Sequence, residues 1–127
     1  MAGLAAIGVV TREMARSVAF YRLLGVDVPD PEAGADHHDA ELPSGIRLMW
    51  DTVELIKKLD PDWTEPQGHG LALAFECESP GDVDTTYARV LEAGFGGKAE
   101  PFDAFWGQRY ATVLDPDGNP VDLFAPL

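Results

Sequence analysis

Tyr110, Thr112, Asp122 and Phe124 are the residues of this sequence best placed to meet a small molecule. They flank Asp115-Pro116-Asp117-Gly118-Asn119, a stretch with the chemistry of a tight connection. An Asp hydrogen-bonds its own turn, a Pro presets φ at the next position, and a Gly accepts positive φ at the exit. Ala111 and Val113 before the turn and Val121 and Leu123 after it alternate with other residues. Period-2 patterning around a turn predicts an antiparallel hairpin with one face on a core. The four residues named first fall on the opposite face, a mixed polar and aromatic surface suited to orienting a ligand. Nothing in the chain suggests nucleophilic or phosphate chemistry: no Ser-His-Asp set, Gly-rich phosphate loop or CxxC is present.

The remaining reactive side chains read blandly. His37 and His38 are adjacent, so on a strand they point to opposite faces and cannot chelate together; they read as strand-end or loop histidines. His69 falls on the wrong face of its own segment to join a site. Cys77 belongs to an apolar face with Leu71, Leu73 and Phe75, where it reads as a small buried hydrophobe. A single cysteine excludes an internal disulfide and fits a reducing compartment.

The elements that must position these residues follow from composition and pattern. At 127 residues the chain is one domain or two small half-domains, and 46% hydrophobic content allows a sizeable core. A formal charge of -13 argues against nucleic acid and anionic membranes as partners. It favours a cationic partner, or serves solubility alone. The apolar N-terminal stretch lacks a basic segment and reads as a first strand rather than a signal peptide. No run reaches transmembrane length, so a soluble, cytoplasmic protein is expected.

Leu4 to Val10 is predicted as a strand, and Thr11 as the N-cap of a helix over about residues 13–24. Met14, Val18, Tyr21 and Leu24 form its apolar stripe, and Gly25 ends it. HHDAEL and IRLMW (46–50) read as strands, and residues 51–68 as a connector with a possible helical turn. His69 to Cys77 reads as a strand with Gly70, Ala72 and Ala74 on one face. A helix from Pro80 or Asp82 to Ala93 follows, using Val83, Tyr87, Val90 and Leu91, and Gly94 stops it. KAEPF is an edge strand before the hairpin. FYRLLG (20–25) recurs as YARVLEAG (87–94), so the chain repeats a βαβββ unit. The expected class is α+β: a single domain over 1–127, with module 1 at about 1–58, the connector at about 51–68 and module 2 at about 69–127.

Two βαβββ units, the phrase VAFYRLLG and the ending WGQR…DPDGNPVDLF resemble the vicinal oxygen chelate superfamily. That group includes glyoxalases, extradiol dioxygenases, fosfomycin-modifying enzymes and bleomycin-type resistance proteins. The resemblance covers essentially the whole chain. It implies a curved, incomplete barrel from each module, a ligand cup, and often a homodimer, in some cases domain-swapped. The superfamily's enzymes hold a divalent metal through four inward His, Glu or Gln side chains. The corresponding positions here fall on Ala6, Arg47, Ala72 and Asp122. Two alanines offer no donor, an arginine repels a metal, and one carboxylate is too few. No metal, cofactor or catalytic residue is expected.

The same resemblance places Trp50, Trp63, Phe102, Phe105, Trp106, Tyr110 and Phe124 near the cup mouths, some as core and some as ligand walls. Arg47 and Asp122 read either as a buried structural pair or as polar anchors. The expected ligand set is therefore Arg47, Trp50, Trp63, Phe102, Phe105, Trp106, Tyr110, Thr112, Asp122 and Phe124, over a floor of Ala6, Gly8, Ala72 and Ala74. Two functions from different classes fit. One is a binding protein, closest to the non-metal bleomycin-resistance-like members, that sequesters an aromatic or cationic antibiotic without catalysis. The other is a superfamily enzyme (lyase, isomerase or dioxygenase) with a displaced or absent metal site. A relative without any ligand is a third reading.

Overall fold

A computed structural model describes all residues from Met1 to Leu127, which divide into two units, Met1–Glu65 and Pro66–Leu127. The first contains β1 (Ala6–Thr11), α1 (Met14–Leu23), β2 (His37–Glu41), β3 (Arg47–Thr52) and α2 (Val53–Leu59). Its sheet runs β1-β3-β2, with β1 parallel and β2 antiparallel to β3. Alternation sends Val9, Thr11, Leu48, Trp50 and Thr52 to one face, all buried, together with Ser17, Val18, Phe20 and Tyr21 of α1. Gly25, at φ 96°, ends α1 in the left-handed conformation that the stop signal implies.

Two local expectations change in this unit. Thr11 does not cap α1: it is the last rung of β1, opposite Thr52, and its hydroxyl accepts the Glu13 N–H at 3.3 Å. The unit also lacks the third strand expected after α1. Thr52 instead accepts the Leu55 N–H at 3.2 Å and caps α2, so VELIKKL continues as a helix.

The second unit contains β4 (Leu73–Glu76), α3 (Pro80–Glu92), β5 (Gly96–Ala104), β6 (Gln108–Leu114) and β7 (Pro120–Pro126). Its sheet runs β4-β7-β6-β5, with only the β4–β7 pair parallel. α3 begins at Ser79, whose hydroxyl accepts the Asp82 N–H at 3.1 Å, with Pro80 in the first turn. Val83, Thr86 and Val90 form its buried face, while Leu91 is partly exposed. Leu91 and Tyr87 instead lap over Gly97 of β5, where an added Cβ would meet the Tyr87 hydroxyl. A larger residue there would have to displace the Tyr87 ring.

The hairpin is present as read. Ala111, Val113, Val121 and Leu123 are buried, and Asp115 staples the turn by accepting from the N–H groups of Asp117 and Asn119 at 2.9 Å and from Asn119 Nδ2 at 2.8 Å. The strand expected from His69 starts only at Leu73, and Leu71 is 90% exposed. The reason is the partner's length: Leu73 pairs with Val121, and β7 begins one residue earlier, at Pro120. Residues before 72 have no strand to pair with.

Both units thus follow one βαβββ-like plan, as mixed, unclosed sheets with a helix on one face. No helix is long and apolar enough to cross a membrane.

Candidate ligand-binding site

The face of the second sheet that its core leaves open carries the residues singled out in the hairpin. Tyr110 pairs with Phe124 and Thr112 with Asp122 across β6 and β7, and Ala74 of β4 lies opposite Asp122. Asp122 accepts from the Tyr110 hydroxyl at 2.6 Å and from the Thr112 hydroxyl at 2.7 Å, one bond on each carboxylate oxygen. Burial, then the hydrogen bond to the Asp122 carboxylate, pushes the Tyr110 phenol up to about 12, so it remains a neutral donor.

Above this polar base stands a group of rings. Phe102 on β5, paired with Tyr110 on β6, lies 6.2 Å from it at an interplanar angle of 64°. Trp106, in the β5–β6 turn, lies 5.3 Å from Tyr110 at 80° and 6.3 Å from Phe102 at 89°. Its indole N–H donates to Gln108 Oε1 at 2.8 Å, which fixes the ring on the turn. Phe105 packs edge-on against Trp106 at 5.0 Å and is 96% exposed. Phe102 and Trp106 also present ring surface to solvent. Gln108 was not among the expected site residues, although it stands two positions after Trp106 in the phrase WGQR.

The expected residues of the first unit fare differently. Trp50 is completely buried at 0% exposure, against Tyr21 at 5.8 Å, so it is core and not a ligand wall. Trp63 is half-buried in the loop after α2, its backbone N–H donating to the Asp60 carbonyl at 3.0 Å. Ala6 and Gly8 do share a face with Arg47, and a Cβ at Gly8 would meet nothing within 4 Å. Arg47 forms an ion pair with Asp39 of β2. Ala72 lies outside β4, and Ala74 takes the place beside Asp122.

His37 is more engaged than its sequence context implies. Its Nδ1 lies 2.6 Å from Asp51 Oδ1 and its Nε2 lies 3.4 Å from Asp39 Oδ2, completing a line Asp51–His37–Asp39–Arg47 along β3 and β2. The Asp51 hydrogen bond raises the His37 pKa from 6.5. Arg47 holds the Asp39 carboxyl below its ordinary range. Because the folded state favours the imidazolium, its contribution is complete below about pH 6.5 and is lost as pH rises through the raised value. His37 is half exposed, which limits the effect to under about 1 kcal/mol. Urea midpoints of the native protein and His37→Gln should accordingly differ at pH 6 and converge by pH 9. A difference that grows with pH would contradict this pairing.

The superfamily metal can be tested against the donors present. Ala6 and Arg47 are Cα partners on one face, and neither Ala72 nor Ala74 offers a donor. Both Asp122 oxygens already accept from hydroxyls, and no three His, Cys, Asp or Glu side chains gather to hold an ion anywhere in the molecule. The residues do not fit that metal. Burial pushes the Cys77 thiol up, away from thiolate chemistry.

Two unclosed mixed sheets of one plan, each bearing a helix on one face, define the paired-module α+β class that the sequence resemblance implied. The chain belongs to the Glyoxalase/Bleomycin resistance protein/Dioxygenase superfamily, whose family model matches residues 3–123. A glyoxalase/bleomycin resistance protein/dioxygenase from Nocardioides has 27% identity and a TM-score of 0.74, with 100% of this chain and 85% of that one covered. A family enzyme from Burkholderia phytofirmans PsJN superposes with a TM-score of 0.85 at 19% identity, covering 99% of this chain and 100% of that one. A glyoxalase-related enzyme from Fulvimarina pelagi gives 0.84 at 17% identity, over 98% and 88%. At these two lower identities the likeness speaks for fold alone. No curated protein matches the sequence.

Proposed function

We propose that this is a non-catalytic, small-molecule-binding member of its superfamily that sequesters an aromatic or cationic natural product of the antibiotic type. The observation that carries the reading is the ring group of Phe102, Trp106 and Tyr110 over the Asp122 carboxylate. Binding is stoichiometric: ring surface is desolvated against ligand surface, and Asp122, Thr112 and Gln108 set orientation. Family membership and a donor set that does not fit the superfamily metal support it, and the charge of -13 favours a cationic partner. The enzyme alternative with a displaced metal site lacks a cluster of donors to which the metal could have moved. The unclosed sheets also leave edges that a second copy would cover, so the proposal includes a homodimer.

Titration with planar polycyclic and peptide-type antibiotics tests the reading. A saturable quench of tryptophan fluorescence, near one ligand per chain, is expected, without turnover. Trp106→Ala should weaken binding about tenfold, the factor that about 1.4 kcal/mol represents. Ala74→Trp, beside Asp122 on an exposed strand position, should abolish it by filling the base of the site. Unchanged affinity in both variants would move the ligand elsewhere. Light scattering on the same sample should give twice the 13.7 kDa of one chain.

A further inference from the structure

We propose that the second module's site is built to take a methylated ammonium centre, an inference that rests on the binding reading above and names the chemistry of its ligand. The first argument is the arrangement of the rings. A flat polycycle is best gripped between two parallel rings, yet the three pairs among Phe102, Trp106 and Tyr110 meet at 89°, 64° and 80°. Rings set at such angles make the corner of a box. A compact cation sitting within about 6 Å of each centroid meets several π faces at once, the arrangement of an aromatic cage.

The second argument is the state of Asp122. Within the second unit Arg109 pairs with Asp84 and Asp103, and no ion pair there reaches Asp122. Its carboxylate therefore has no paired cation within that unit. Each of its oxygens nevertheless already accepts a short hydrogen bond, from Tyr110 and from Thr112. Such a carboxylate supplies field more readily than fresh acceptor sites. A primary ammonium needs several acceptors to replace its water. A quaternary or dimethylated one needs only charge and π surface. Phe102 is 42% and Trp106 49% exposed, so the corner is open to solvent.

Ligand-observed NMR of choline methyl protons tests this, with its neutral isostere 3,3-dimethyl-1-butanol and with ethanolamine as controls. Choline should bind saturably, and both controls at least about three- to fivefold more weakly. Phe102→Leu, which keeps apolar bulk on a solvent-exposed strand position, should reduce choline affinity about three- to fivefold and that of the isostere by less. Asp122→Asn should reduce it similarly. Equal affinity for choline and its isostere, or unaltered choline binding in Phe102→Leu, would overturn the inference, and the second arm stands even where Asp122→Asn fails to fold. A neutral planar probe separates this from the binding reading. Quenching by that probe without choline binding leaves the reading and removes the ammonium site. Choline binding without any planar ligand keeps the ammonium site and removes the aromatic-ligand reading.

Discussion

Trp50→Ala should destabilise the first module by about 3–5 kcal/mol, the cost of deleting a large buried ring from a packed core. Trp50 has no exposed surface, meets Tyr21 edge-on at 63°, and lies 6.3 Å from the His38 ring. No ordinary relaxation of α1 refills that volume, because Val18, Phe20 and Tyr21 are themselves buried there. Trp50→Phe should be far milder, at about 1 kcal/mol. The indole N–H has no hydrogen-bond partner in the core, so removing it relieves an unsatisfied donor while the ring volume is partly kept. Urea denaturation of both variants checks the pair. Native stability in Trp50→Ala, accompanied by lost ligand binding, would return Trp50 to the site.

The second large effect is expected at Asp115. The side chain is 4% exposed and its carboxylate accepts from two backbone N–H groups and one side-chain amide. Asp115→Ala leaves those donors without their acceptor and should cost about 2–4 kcal/mol. Asp115→Asn keeps an acceptor oxygen for the two backbone groups and gives up the bond from Asn119 Nδ2. It should fall between alanine and the native protein in urea midpoint. Equal loss in both variants would mean that charge, not the turn's hydrogen bonds, stabilises the connection. Because β6 and β7 carry the polar base of the site, Asp115→Ala should weaken ligand binding as well as folding.

These two residues also mark what the sequence makes legible. The hairpin is readable because turn chemistry and period-2 alternation agree over residues 111–123, and each alone would be weaker. Its open face follows by parity. Parity also contradicts placing Arg47 and Trp50 together in one site: they are an odd number of residues apart on a single strand, so they point to opposite faces. Trp50 shares the Leu48 face, and the core takes it. The Asp51–His37–Asp39 line was not legible, because it depends on the register between β2 and β3, which pairs His37 with Asp51. The missing third strand of the first module has a similar origin. Repetition of one plan implies it, but a local cap at Thr52 and the helix-forming VELIKKL override the repeat.

The nine residues of β5 form one margin of the second sheet, and their pairing with β6 slips twice, between Gly97 and Ala99 and between Ala99 and Phe102. Lys98, Glu100 and Pro101 occupy the irregular stretch. A margin that is bulged, charged at two positions and short of one N–H cannot template a straight new strand from another chain. The apolar hairpin behind it, whose Ala111, Val113, Val121 and Leu123 would stack readily if laid bare, is thereby kept out of cross-β growth from that side. The irregularity that interrupts the ladder is what makes this margin a poor seed for fibrils.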